Sequence, residues 1–443
     1  MDNKIYDYIG IGVGPFNLGL ACLLDPIKEL DGVFLDKKEN FNWHAGMLLQ
    51  DTTLQIPFLA DLVTLADPTS SFSFLNYIKE QGRIYSFYIK ENFLLLRNEY
   101  NLYCKWAIEK LKNIEFNTSV DQIFYSDEEQ CYIVTTSCTQ TNNTKIYKSK
   151  KLIFGTGTSP FIPACCKDLK DKIIHSSQYL DQKEELQTKK SITVLGSGQS
   201  AAEIYNDLLQ EIDSKGYQLN WITRSARFFP LEYTKLTLEM TSPDYVDYFF
   251  SLPSQKRDQM NKEQKNLYKG INSDLINTIY DTLYTKSLMT KIDVSLRTNS
   301  ELKKIVHNAV KNTFELEVHQ VEQDKYYKHS TEAVVLATGY NYKMPDFVNG
   351  ITSRIKWDTK NRFDVNRNYS IDVNDSEIFV QNAELHTHGF VTPDLGMACY
   401  RNSFIIKGLT GKDYYPIESR IAFQQFNVLA EEEIQIQESA IAQ

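Results

Sequence analysis

Short apolar runs rich in β-branched and aromatic residues recur along the chain, each followed by glycines and then by apolar positions at helical spacing. The first is IYDYIGI over residues 5–11, which reads as a buried strand. It runs into GVGPFN at residues 12–17 and then into LGLACLL, a helical pattern; a second strand, GVFLD, ends at Asp36. The order is strand, glycine turn, helix, strand, acid. The same order without the acid returns at residues 191–203, where SITVLGSGQSAAE carries a strand into GSGQSA and a helix, and LNWITRSARFF supplies the next strand. KLIFGTGTSPFIP at 151–163 and AVVLATGYNYKMP at 333–345 share an apolar strand, Thr-Gly and a proline, and read as crossings between two nucleotide domains. The lysine-, asparagine- and glutamine-rich stretches at 127–150 and 253–266 read as solvated edges, and the polar C-terminus from Glu431 is expected to fray.

The expected fold is therefore α/β, with two Rossmann-like dinucleotide-binding domains, one interrupting the other. The first would cover residues 1–187, resume at 333–443 and include a C-terminal helix; the insert would be residues 188–332.

The two turns differ in their chemistry. Gly12 permits the tight first turn, and Gly14 lets the backbone approach a pyrophosphate seated on the helix N-terminus. The third glycine of the usual fingerprint is replaced by Asn17. Asp36 stands where an acidic residue holds a ribose hydroxyl. The second unit carries Arg224 and Arg227 at the matching strand end. A carboxylate there would repel a 2′-phosphate, whereas an arginine fork binds one. The first site thus suits an unphosphorylated adenosine and the second suits NADPH.

Composition narrows the partners. The 443 residues are 42% hydrophobic and 24% charged, with a net charge of −9, which argues against a nucleic-acid partner. No window approaches the roughly twenty apolar residues of a membrane span. The chain enters a strand at once, leaving no room for a signal peptide. Seven cysteines without a CxxC pair fit a reducing compartment, so a cytoplasmic protein is expected. Cys165 and Cys166 are adjacent, poor geometry for an ordinary disulfide. His386 and His388 have no carboxylate or cysteine at ligand spacing, so no metal is expected.

A flavin dinucleotide beside NADPH implies redox chemistry. A dithiol reductase would need a CxxC or CxxxxC next to the flavin; its absence favours an oxygen-using monooxygenase.

Successive blocks then resemble the siderophore N-hydroxylating monooxygenases, the lysine and ornithine N-monooxygenases and their relatives acting on diamines. The blocks are FNWHAGMLLQ, LQIPFLADLVTLADPTSSFSFLNYI, RNEYNLYCKWA, HSSQYL, VLGSGQSAAE, FFPLEYTKLTLEMTSPDYVDYF and HTHGFVTPDLGMACYRNS, within residues 5 to 411. The resemblance implies an FAD domain, an inserted NADPH domain and a small, mostly helical substrate region, in a homo-oligomer (tetramer or dimer). It implies N-hydroxylation of a small-molecule primary amine with O2 by a C4a-hydroperoxyflavin, on the way to a hydroxamate siderophore. Gly12, Gly14, Pro15 and Asn17 would line the FAD phosphates and Asp36 its ribose. Trp43, His44, Gln55 and Leu395 would lie along the flavin. Gly196, Ser197, Gly198, Gln199, Ser200 and Arg224 would take NADPH, with Tyr340 nearby. Gln55 and Asn272 are the candidates at the reacting centre, since a buried side-chain amide at a flavin must find hydrogen-bond partners.

LQIPFLADL would floor the amine pocket. In the amino-acid hydroxylases that the chain resembles, a lysine is expected at the position of Ala60, pairing with the substrate carboxylate. Ala60 offers no charge, and a carboxylate desolvated beside it would be left unpaired. A small diamine, putrescine or cadaverine, is the expected substrate, with Asp247 or Asn272 accepting its far amine. The alternatives are histamine, or lysine or ornithine with Lys235 taking the carboxylate. A Baeyer–Villiger or amine-oxide-forming flavin monooxygenase and a non-catalytic flavin-binding protein are the further alternatives.

Overall fold

The structure, a computed structural model, describes residues 4–289 and 291–434. Strand β1 (Ile5–Ile11) leads into helix α1 (Pro15–Leu24), whose Gly14 N-cap is extended and whose Pro15 fills the first helical position, where a missing N–H costs nothing. Strand β2 (Gly32–Leu35) is buried throughout, the reading expected of a central parallel strand. The chain continues through β3 (Thr53–Pro57), helix α2 (Arg97–Lys110) and the long strand β4 (Thr144–Phe154). The first sheet runs Ile114–Glu115, β2, β1, β4, Cys131–Cys138, Thr118–Ser126, with Ile378–Val380 parallel to β4. Register places Ile11 beside Leu35 and Phe154, so Gly12, Asp36 and Gly155 leave the sheet together at its C-terminal edge. Ligands bind at that edge in open α/β sheets.

The second unit repeats this arrangement with β5 (Ser191–Leu195), α3 (Gln199–Lys215) and β6 (Gln218–Ile222). Its five strands run Ile174–His175, Ala333–Leu336, β5, β6, Val294–Arg297, all parallel. Helix α3 ends at Gly216, which takes the left-handed conformation that glycine adopts at helix ends. After β6 come α4 (Lys235–Leu238), α5 (Pro243–Ser251), a helix over Ser254–Glu263 and α6 (Ser273–Met289). An antiparallel three-stranded sheet over residues 300–331 covers the unit.

The expected borders at 187/188 and 332/333 are corrected outward. Ala333–Leu336 pairs with β5, and Ile174–His175 pairs with Ala333–Leu336, so both runs belong to the second sheet. The crossings lie instead in Thr158–Pro160 and Tyr340–Tyr342, which pair antiparallel as a two-stranded joint. An apolar run reads as a strand without naming the sheet it joins. The helical region draws on both units, since Tyr245, Val246, Phe249 and Met260 share a core with Phe390, Val391 and Met397. The last helix, α7 (Ala398–Thr410), fits the expected C-terminal helix. Residues 411–434 run on without helix or strand, and residues 435–443, the rest of the tail expected to fray, lie outside the described residues. No described helix is long and apolar enough to cross a membrane.

Candidate active site

The two glycine turns are built by close backbone approach. Gly12 has φ +89°, and a Cβ there would stand 2.4 Å from the Gly155 carbonyl oxygen. At Gly196 a Cβ would stand 2.2 Å from the Ala337 oxygen. A Cβ on Gly14, by contrast, would meet nothing within 4 Å. Neither Gly14 nor Gly198 caps its helix with a side chain, so both helices point uncapped N–H groups out of the turns, the geometry that receives a phosphate. These features fit two dinucleotides.

Asp36 is buried: its Oδ2 accepts from Val13 N–H at 2.6 Å and its Oδ1 from Lys38 N–H at 2.8 Å. Each oxygen keeps lone-pair capacity for a ribose hydroxyl. Asn17 departs from expectation. Its fully buried amide donates to the Gly12 carbonyl at 2.7 Å and accepts from Gln381 Nε2 at 2.6 Å. That side chain fixes the turn from behind and does not reach toward a phosphate. In the second unit, Arg224 is exposed and makes no ion pair among the described residues, while Arg227 lies over the Phe229 ring at 4.4 Å. Lys269 stands close to Arg224, and burial with the nearby Lys265 and Arg224 charges lowers its pKa.

Between the two units lies a cavity of about 560 Å³. One wall is the LQIPFLADL segment: Leu54, Gln55, Ile56, Pro57, Leu59 and Ala60 line it. Phe58 turns the other way, into Phe74, Phe87 and Phe93. Asp61 forces the turn. Its buried carboxylate accepts from the backbone N–H groups of Val63, Thr64 and Phe74, so the interrupted segment folds back on itself. Burial still holds the Asp61 carboxyl above its ordinary range.

Trp43, His44, Tyr340, Leu395, Gln199 and Ser200 complete the nucleotide-facing wall. His44 takes a left-handed backbone (φ 52°) and meets Trp43 and Tyr340 edge-on, with ring centroids at 4.6 and 5.9 Å. Its ring is open to the cavity yet crowded by protein. That crowding, with Arg97 and Lys38 nearby, pushes its pKa down to about 4. Gln55 Nε2 reaches Gln199 Oε1 and the Gly270 carbonyl, each at 3.4 Å, so the amide joins the two units across the cavity.

The structure corrects the expected amine anchors. Asp247 sits on the outer face of α5, exposed and paired with Arg367 Nε at 2.6 Å, away from the cavity. Helical spacing turns Tyr245, Val246 and Phe249 inward, and that leaves residue 247 outside. Asn272 uses its Oδ1 to cap α6 through Asp274 N–H at 2.8 Å. Its backbone N–H donates to Gln199 Oε1 at 2.8 Å; the residue supports Gln199 without lining the cavity. Lys235 is exposed and also outside the lining. His386 and His388 donate through Nε2 to the Phe363 and Arg367 carbonyls, which places both in backbone contacts.

The charged lining is different from the expected set. Among the described residues it consists of Arg97, Glu232 and Asp394. Arg97 is held in a two-point ion pair by buried Glu203, at 2.6 and 2.8 Å, and also donates to the Met47 carbonyl at 3.2 Å. Burial raises the Asp394 carboxyl above its ordinary range despite a hydrogen bond from Gly396 N–H. Gly396 brings this loop to Ala60: a Cβ on it would lie 3.9 Å from the Ala60 methyl. Sequence reasoning missed Arg97, Glu203, Glu232 and Asp394. TPDLG gave a usable signal, an acid followed two residues later by glycine in a quoted block.

Known proteins of the same build can be set beside this geometry. A putrescine N-hydroxylase of Shewanella oneidensis is 53% identical over 426 residues, covering 96% of this chain and 85% of the relative. The FAD-bound crystal structure of a cadaverine monooxygenase of desferrioxamine biosynthesis, from Erwinia amylovora, superposes with a TM-score of 0.95 at 59% identity. It covers 97% of this chain and 100% of that one. A Kutzneria ornithine N-hydroxylase, solved with reduced FAD, NADP+ and L-ornithine, gives a TM-score of 0.84 at 25% identity over 92% of this chain and 99% of the other. The model of the L-lysine 6-monooxygenase/L-ornithine 5-monooxygenase family matches residues 4–342, and the chain belongs to that family.

Proposed function

We propose that the protein N-hydroxylates one amine of a small aliphatic diamine with NADPH and O2, using FAD, in siderophore biosynthesis. In the balanced reaction the amine, dioxygen, NADPH and a proton give the hydroxylamine, NADP+ and water. The observation that carries the diamine reading is the charge of the cavity wall. Its cation, Arg97, is occupied by Glu203, Ala60 offers nothing to a carboxylate, and two carboxylates, Glu232 and Asp394, face in. A substrate with an ammonium at its far end suits that wall; an amino acid would desolvate its carboxylate unpaired.

FAD would lie along the first turn, with its pyrophosphate on the α1 N-terminus and its ribose on Asp36; Trp43, His44 and Leu395 would face the flavin. Gly196, Ser197, Gly198, Gln199 and Ser200 would hold NADPH, with Arg224 on its 2′-phosphate. When bound, the two cofactors supply the reduction of dioxygen and the transfer of one oxygen atom. The chain's own part is position and environment. Gln55 and Gln199 bridge the units where the two cofactors would meet. Leu54, Ile56, Leu59, Leu231, Leu267 and Phe390 exclude water and disfavour the charged amine. The attacking nitrogen must be neutral, and a dry wall lowers its pKa without a dedicated base. His44, neutral above its depressed pKa, adds no competing cation.

The test is NADPH-dependent hydroxylamine formation with putrescine, cadaverine, histamine, ornithine and lysine side by side. A diamine should lead; ornithine or lysine outperforming every diamine would sink the reading.

A further inference from the structure

The tail beyond α7 packs on the helical region through a set of backbone and aromatic contacts. Residues 421–426 run along α4, whose Thr237 and Leu238 line the cavity, and along the start of α5, which lies behind that wall. Glu239, which follows α4, accepts from the backbone N–H groups of Phe423 and Gln424 at 2.9 and 3.0 Å, and from Gln424 Nε2 at 2.9 Å. Gln424 Nε2 also donates to the Leu236 carbonyl at 2.6 Å. Asp244, in the first turn of α5, accepts from Ile421 and Ala422 N–H at 2.9 and 3.3 Å. Phe426 meets the buried Tyr245 ring at 5.2 Å, and Tyr245 meets Phe390 at 5.6 Å. Phe390 lines the cavity, as do Thr237, Leu238 and Thr241 between the tail's attachment points.

We propose that residues 421–426 are a strap that holds the α4–α5 wall over the bound amine, making Glu239 and Phe426 positioning residues for the N-hydroxylation. The physical case rests on how little else holds α4, since α5 has its own anchors in buried Tyr245, Val246 and Phe249. Helix α4 is four residues long and buries no side chain, and so short a helix has no stability of its own. The side chain of its Thr234 cap reaches only Thr237, accepting from its N–H at 3.4 Å and meeting its hydroxyl at 2.8 Å. The strap adds backbone hydrogen bonds to one carboxylate on each side of Thr241, and the aromatic series Phe426, Tyr245, Phe390 carries its position to the cavity surface. A wall that shifts outward admits water and loosens the amine, while the LQIPFLADL wall keeps its own support in Asp61 and the Gln199 side keeps the Arg97–Glu203 pair. The inference rests on the proposed amine hydroxylation.

The experiment compares Glu239→Ala and Phe426→Ala with the unmodified holoenzyme, and adds Glu239→Gln, which keeps one acceptor oxygen. Three quantities are read with putrescine: anaerobic reduction of bound FAD by NADPH, the amine KM, and the division of consumed NADPH between hydroxylamine and hydrogen peroxide. Expected for the alanine variants is reduction within about twofold of the unmodified rate, a KM raised about five- to tenfold and a larger peroxide share. Glu239→Gln should fall between. Unchanged KM and peroxide share in both alanine variants overturn the strap, and so does an equal loss of reduction and hydroxylation, which a general structural defect produces. Unmodified protein that makes no hydroxylamine from any amine overturns the proposed function itself; the strap falls alone when that protein works and the variants match it.

Discussion

Arg97 and Glu203 form a two-point ion pair, at 2.6 and 2.8 Å, between the first residue of α2 and the first turns of α3, with the glutamate buried. One belongs to the FAD-type unit and the other to the helix that opens the NADPH-type turn. Gln199, one turn before Glu203, donates to the same carboxylate at 2.9 Å and accepts from Gln55. The pair therefore ties the relative position of the two nucleotide turns to the cavity wall.

Glu203→Ala should be far worse than removal of both partners. It leaves the Arg97 guanidinium mostly buried and unpaired, a change that costs about 3–5 kcal/mol. The double variant Arg97→Met with Glu203→Leu should recover most of that loss. Urea denaturation of the three proteins checks it; equal midpoints for Glu203→Ala and the double variant would contradict the argument.

Much of this frame was legible in the sequence. The two strand–turn–helix units, with Gly12 and Gly196 at their turns and Asp36 just past β2, follow from local order alone, because strand, turn and helix are set by neighbours along the chain. What was not legible depends on partners far away. Arg97 and Glu203 stand 106 residues apart, and nothing local marks either as one of a pair. Ala333–Leu336 reads as a strand but not as a strand of the second sheet. Asp247 and Asn272 are a different case: helical periodicity in SPDYVDYF and the capping signal in NSD were both present, and each places its residue outside the cavity.

Arg224 should discriminate between nicotinamide cofactors. A charge-assisted contact to the 2′-phosphate is worth ~1.5–3 kcal/mol, about 10- to 100-fold in affinity. Arg224→Ala should raise the NADPH KM by that factor and leave NADH almost unaffected. Equal losses with both cofactors would show that Arg224 does not read the phosphate.

Stability should fall on the acid side of neutrality. Burial lowers the pKa of His44, His175, His329, His386 and His388, with His44 pushed down to about 4. Below the ordinary value of about 6.5 the unfolded chain takes up protons that the folded chain refuses. Their contribution is complete above that value and is lost as pH falls toward the folded pKa values. Burial raises the Asp61 and Asp394 carboxyls, which act in the opposite direction; five histidines outweigh two acids. Thermal midpoints should drop between about pH 6.5 and 5; a constant midpoint across that range would refute it.

Asp394 should read the far end of the substrate. Its carboxyl is raised by burial, and an ammonium placed against it favours the charged form and offsets that shift. Asp394→Asn should raise the KM for putrescine or cadaverine about 10- to 100-fold, and leave a monoamine of equal length, such as butylamine, within a fewfold. If both amines weaken alike, the carboxylate shapes the loop through Gly396 and does not read the ammonium.

Ala60→Lys should move the preference toward amino acids. Ala60 is 7% exposed and lines the cavity beside the Gly396 loop, so a lysine there must extend its stem along the apolar wall and place its ammonium within the cavity. Two consequences follow from that charge. A diamine now meets a cation where it formerly met none, and like charges in a desolvated site cost several kcal/mol, so its KM should rise by about tenfold or more. Ornithine and lysine gain a partner for a carboxylate that the unmodified cavity leaves bare. Asp394 and Glu232 compete for the new ammonium, so the gain should be larger in the double variant with Asp394→Asn, where one competitor is neutral. The kcat/KM ratio of ornithine to putrescine, measured as hydroxylamine formed, checks both steps. A ratio unchanged in the single and the double variant would mean that residue 60 does not set which end of the substrate the cavity accepts.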